Sequence, residues 1–204
     1  MPEHPLVFVG IVALLTITPG ADMAMVARSV FTGGRRDAFA TTLGISAGCL
    51  AWACASALGV AAVLAASQTA YDALRLVGAV YLIWLGAQTL LAARRGVPPA
   101  AEGARTRGNP FRQGLLTNLF NPKIAVFYST FLPQFIGPGD SALLVSMVLA
   151  SVHIALGIVW LSLYAWLLAR AVEAFEGSRV RRTLDALTGT VLVALGLRLA
   201  AERR

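Results

Sequence analysis

With 204 residues, 57% of them hydrophobic and only 13% charged, the chain has a mean hydropathy of +0.72. A water-soluble domain carries about 25% charged residues, so a soluble globular protein is excluded. The formal net charge of +7 does not point to nucleic acid, because the basic residues sit in short gaps between apolar runs and no nucleic-acid-binding motif occurs.

A helix that crosses a bilayer needs about 20 mostly apolar residues. Six stretches qualify: 5–27, 38–66, 71–93, 114–136, 142–169 and 184–201. The first lacks the basic start and the small-residue cleavage site of a signal peptide, and reads as a retained helix. It is interrupted by Thr18-Pro19-Gly20-Ala21-Asp22. A helix in lipid must satisfy its own backbone, so a proline break persists only where protein or a water-filled cavity receives the freed groups. Proline suits the first position of a helix and Thr18 is a good N-cap residue, so a new half-helix is expected to begin here inside the membrane.

The second stretch carries Gly44 and Gly48 in a G-x-x-x-G pattern continued by Ala51 and Ala55. Such small-residue stripes let helices approach closely, within one bundle or at a homodimer seam. Cys49 and Cys54 lie on this helix, too far apart to bridge and without the histidines of a zinc site, and read as small buried apolar residues. Asp72 and Arg75 open the third stretch as an interfacial ion pair. Residues 94–112, rich in Arg, Pro, Gly and Ala, read as an exposed linker.

The fourth stretch holds a second break, Asn118-Leu119-Phe120-Asn121-Pro122-Lys123, with Asn121 placed to cap the helix that Pro122 begins. Lys123 lies about ten residues into its span, some 15 Å at 1.5 Å per residue, beyond the reach of simple snorkelling. A cation in the first turn of a helix is disfavoured by the helix dipole, so Lys123 is expected to have an anionic partner, either a substrate carboxylate or Asp22. Intramembrane ionisable groups mark functional sites because they are costly to keep there. His153 stands alone in the fifth stretch, either as a hydrogen-bonded packing residue or as part of a proton path.

Arginines fill the first gap (Arg28, Arg35, Arg36), the central linker and the last gap (Arg170, Arg179, Arg181, Arg182), whereas 68–70 and 137–141 hold none. The positive-inside rule puts the arginine-rich gaps in the cytoplasm and both termini outside, against which only the tail Arg203-Arg204 argues. Three helices on each side of the linker is an odd number, so the second half enters the membrane inverted. The expected fold is an all-α integral membrane protein forming a single transmembrane domain, 1–204. Its six transmembrane helices are arranged as two inverted three-helix repeats, about 1–93 and 113–204, with proline-broken first helices and a cytoplasmic linker at 94–112.

Paired breaks of this kind point to a transport site at the midplane. Thr18, Pro19, Gly20, Asp22, Asn118, Asn121, Pro122 and Lys123 are the candidate substrate-binding residues. The half-helix starts at Gly20 and Lys123 suit a substrate carboxylate. Asp22 would bind an ammonium group or, with His153, carry a coupling proton. No Walker loop, G-x-S-x-G or H-E-x-x-H occurs, so no enzyme, cofactor or metal site is expected.

Together with Gly33-Gly34-Arg35-Arg36, Gly78-Ala79-Val80-Tyr81-Leu82-Ile83-Trp84-Leu85-Gly86, Phe131-Leu132-Pro133-Gln134-Phe135 and Thr188-Gly189, the two breaks make the chain resemble the LysE/RhtB family of bacterial amino-acid exporters over nearly its whole length. The resemblance implies a six-helix carrier in the cytoplasmic (inner) membrane that exports amino acids using the proton-motive force. One departure is Ala21, where the family usually has a second proline; it restores an N–H donor at the first break. The apolar surroundings favour neutral amino acids. An ion or heavy-metal exporter on a related scaffold is the alternative, against which stands the lack of clustered soft or carboxylate ligands.

Overall fold

The computed structural model describes residues 5–59, 67–95, 108–137, 139–174 and 178–201, and these are helical apart from short connections. In chain order they form α1 (Pro5–Ile17), α2 (Ala21–Ala57), α3 (Gln68–Arg95), α4 (Pro110–Leu119), α5 (Pro122–Val126), α6 (Ala142–Ala174) and α7 (Ser178–Ala201). A π turn (Phe127–Phe131) and a 3-10 turn (Leu132–Phe135) follow α5. Pro133 has no N–H, which disturbs the regular ladder there, and the Leu132 N–H reaches back five residues to the Phe127 carbonyl.

Although continuous in its helical assignment, α2 is not a rod. Gly34 adopts φ 73° and ψ −162°, backbone open to glycine and strained for other residues. The Ser29 hydroxyl lies 2.7 Å from that of Thr41. Twelve residues of straight helix would separate them by about 18 Å, so residues 21–33 and 35–57 are two arms of a hairpin. Its tip carries exposed Arg35 and Arg36.

Among the described residues, three helices are by length and composition apolar enough to cross a membrane: α2, taken along both its arms, Gln68–Leu91 within α3 and Ala142–Val172 within α6. Pro5–Ile17 and Ala186–Ala201 are shorter apolar helices. The expected fourth span is cut into α4, α5 and the two turns, because Asn121 and Pro122 stop one helix and start another. The last helix begins at Ser178, earlier than the expected 184. The expected linker is helical at its edges, up to Arg95 and from Pro110, while its middle, like residues 60–66, lies outside the described residues. Large apolar side chains such as Leu6, Leu14, Val80, Leu144, Val159 and Leu197 cover the outside, the surface lipid demands and water would not tolerate at this density.

Small residues join the helices inside this shell. α3 packs along α7, α2 against both α4 and α6, and α1 against α6. A Cβ on Gly86 would stand 2.7 Å from the Gly189 carbonyl oxygen. One on Gly44 would strike the Phe111 carbonyl, and one on Gly114 the Thr41 carbonyl. The Gly44/Gly48 stripe therefore packs within the bundle, against α4, rather than at a dimer seam. Gly114→Ala is expected to destabilise the fold by about 1–3 kcal/mol, since backbone cannot move aside as a side chain can. Thermal unfolding in detergent checks this against Gly10→Ala, where an added Cβ meets nothing within 4 Å and the midpoint should not move.

One arginine departs from the topological reading. Arg28 is not a gap residue but 6% exposed, with Nε donating to Thr89 Oγ1 at 2.8 Å and an Nη to Gln113 Oε1 at 2.9 Å. It ties the first arm of α2 to α3 and α4. Arg35 and Arg36 alone mark that gap as basic. The Asp72–Arg75 pair forms as expected, at 3.2 Å. Of the two cysteines Cys49 is buried, whereas Cys54 is exposed on the apolar surface rather than packed inside.

Candidate functional site

The two breaks, some hundred residues apart in sequence, meet in space. Phe8 of α1 packs edge-on to Phe135, ring centroids 5.1 Å apart, which holds the first broken helix against the second. Asn121 caps α5 as its position predicts, its side chain accepting the Lys123 N–H at 3.1 Å. That bond uses the donor that the α5 start had been expected to offer a carboxylate. Pro122, the first residue of α5, has no N–H, and a helix of five residues has little dipole to offer.

The first break differs from expectation. Thr18 does not cap α2, because its hydroxyl donates back to the Leu14 carbonyl at 2.6 Å. The N-cap is Gly20, in extended backbone, with no side chain closing the helix end. An alanine in place of a second proline at position 21 keeps this start free of ring constraint. Asp22 lies in the first turn of α2, where a carboxylate is favoured by the dipole.

The Lys123 side chain accounts for a lysine at this depth. Its Nζ donates to the carbonyls of Leu15 at 3.1 Å and Thr18 at 3.0 Å, the exposed C-terminal end of α1. A cation placed unfavourably in its own helix thus sits favourably at the end of another. Gly20 permits the approach, since a Cβ there would be 3.3 Å from Nζ. Two of the three ammonium protons are used in this way. Among the described residues no direct Asp22–Lys123 ion pair accompanies these bonds.

Asp22 is held from the other half of the chain. Asn118 Nδ2 donates to Asp22 Oδ2 at 3.0 Å and lies 3.6 Å from the Cys49 sulfur. Oδ1 of Asp22 is buried and accepts no hydrogen bond of good geometry among the described residues, although the side-chain amide of Asn121, its Nδ2 likewise buried and unbonded, lies close to the same carboxyl. Gly48 makes room for Asn118, because a Cβ at Gly48 would come within 2.5 Å of Asn118 Oδ1.

Between these groups lies a cavity of about 40 Å³. Its polar lining includes Thr18, Ser46, Asp22, Cys49, Lys123 and His153, with Gly20 beside them. Its apolar lining includes Ile45, Ile154 and Leu161. Pro19, Asn118, Asn121 and Pro122 do not line it: the prolines set the breaks, Asn118 stands behind Asp22, and Asn121 caps α5. The His153 Nδ1 is 3.1 Å from the Tyr128 hydroxyl, and its ring packs edge-on to Phe127. Ser46, Cys49 and Gly157 line the cavity although the sequence reading gave them no part in the site, and Tyr128 supports it from behind His153. Cys49 follows Gly48 of the small-residue stripe, and Gly157 lies one helical turn after His153, which were the available signals.

The family model for LysE type translocators matches residues 13–203. The chain belongs to the LysE type translocator family. It is similar to the homoserine/homoserine lactone efflux protein of Salmonella typhimurium, 29% identical over 93% of this chain and 92% of that one. It is also similar to the threonine efflux protein of Escherichia coli, 28% identical over 96% and 95% of the two chains. A membrane protein of Bacillus subtilis, YrhP, is 27% identical over 95% and 96%. No solved structure matches the chain. As a LysE type translocator the protein is a transporter and not an enzyme, and it resides in the bacterial cytoplasmic membrane.

Proposed function

We propose that this LysE type translocator exports neutral amino acids by proton-coupled alternating access, with the cavity between the two breaks as its substrate site. The observation that carries this reading is the pairing of Asp22 Oδ1, buried and accepting no hydrogen bond of good geometry among the described residues, with Lys123, whose Nζ keeps one donor beyond those given to α1. An anion and a cation at one cavity match the ammonium and carboxylate shared by all α-amino acids. Relatives named for the efflux of threonine and of homoserine support the same substrate class.

A cavity of about 40 Å³ holds roughly three waters and no amino acid, so the walls must part to admit substrate. Because α3 packs along α7 and α2 against α4 and α6, the two halves interlock, and alternating access would have to part contacts between them. The arginine-rich hairpin tip and linker would face the cytoplasm. Coupling follows if Asp22 holds either the substrate ammonium or a proton, never both, since each return then carries a proton inward. Asp22 suits this role better than His153, whose Nδ1 is engaged by Tyr128.

The reading is tested in inverted membrane vesicles energised by a pH gradient, with radiolabelled threonine, homoserine and leucine beside zinc and cadmium ions. Accumulation of a neutral amino acid above the level in vesicles lacking the protein is the expected result. Accumulation of a metal ion alone would replace it by the ion-exporter alternative, for which the described residues offer no cluster of three or more metal-binding side chains.

A further inference from the structure

We infer that Gly157 sets the size of the compartment that receives the substrate side chain, and so restricts the protein to small neutral amino acids. This rests on the proposed substrate site and adds to it the determinant of side-chain size.

His153, Gly157 and Leu161 follow one another at intervals of four on α6, with Ile154 beside them, and therefore share one helical face. All of them line the cavity. The glycines that join helices in this protein are closely covered: a Cβ on Gly48, Gly86 or Gly189 would lie within 3.0 Å of a neighbour. Gly157 is different. A Cβ there would meet nothing within 4 Å, although the residue is partly buried and belongs to the cavity wall. Its missing side chain does not permit a helix contact; it leaves space.

That space belongs to the same cavity as an apolar lining that includes Met23, Ile45, Ile154 and Leu161. With the ammonium group at Asp22 and the carboxylate at Lys123, the side chain of a bound amino acid has this part of the cavity to occupy. Each carbon added at position 157 takes volume from it directly. The residue acts on which substrates fit, not on how their shared backbone is held.

The experiment measures export of a graded series of neutral amino acids, glycine, alanine, threonine, homoserine and leucine, by wild type, Gly157→Ala and Gly157→Val in inverted vesicles. The readout is the ratio of rates, on the same vesicles, for the largest and the smallest substrate that wild type carries, so differences in expression cancel. For Gly157→Val this ratio should fall about tenfold or more, the discrimination that a carbon or two produces in an apolar pocket. Gly157→Ala should move it less and in the same direction. An unchanged ratio, or equal loss for every substrate, would overturn the inference and make Gly157 a packing residue. Should the valine variant fail to reach the membrane, the alanine variant decides by the same ratio. If wild type moves no amino acid, the substrate site itself is wrong, a failure visible before any substitution is compared.

Discussion

Lys123→Ala is expected to lower amino-acid export about a hundredfold while the protein still reaches the membrane. Removing one member of a desolvated charged hydrogen-bond set costs about 2–5 kcal/mol; Lys123 is only partly buried, so the lower part of that range applies, and roughly 2.8 kcal/mol corresponds to a hundredfold in affinity. Two losses combine here: the substrate carboxylate loses its cation, and the Leu15 and Thr18 carbonyls lose the donor that joins α1 to the second break. Lys123→Arg should recover little, because a planar fork does not reproduce a point charge contacting two carbonyls beside Gly20. The measurements are export rate and KM in vesicles, with membrane content quantified by immunoblot. Wild-type export by Lys123→Ala would remove Lys123 from the site.

Asp22→Asn is the most informative substitution. An amide has nearly the shape of the carboxylate, and its oxygen can still accept from Asn118 Nδ2, so the bond between the halves survives and only the charge is lost. If Asp22 binds the ammonium group and the proton in turn, gradient-driven export and equal-pH substrate exchange should both fall, each by about a hundredfold on the same 2–5 kcal/mol argument. Loss of gradient-driven export with exchange intact would make Asp22 a proton carrier alone. Normal gradient-driven export would leave it as a structural acid at the start of α2. Low pH on the loading side should weaken wild-type substrate binding, because a protonated Asp22 no longer attracts an ammonium group, and Asp22→Asn should lose that dependence.

The parts of the fold legible in the sequence are those governed by local covalent facts. Proline lacks an N–H wherever it stands, so helices stop at residues 18–20 and again at 120–121. Asn121 caps because its side chain is short enough to reach the second N–H beyond it. Composition determined the apolar exterior, and glycines at four-residue intervals determined close helix contact.

The cap at the first break was less legible, because Thr18 had two acceptable bonds: forward to α2, or back to Leu14. The preceding turn supplied the closer acceptor. Arg28 was misread as a gap residue because an arginine's length allows either solvent or an interior partner, and Thr89 and Gln113 are 61 and 85 residues distant.

By itself, then, the sequence determined a membrane protein of apolar helices, broken twice, with an acid beside one break and a base beside the other. Breaks, caps and hydropathy depend on neighbours within a turn or two, which are written side by side in the chain. Only the tertiary structure decided that Lys123 serves the end of α1 rather than Asp22, that Asn118 holds Asp22, and that Cys49, His153 and Gly157 share one cavity. Those relations join residues up to 108 positions apart, and they exist only once the helices have packed.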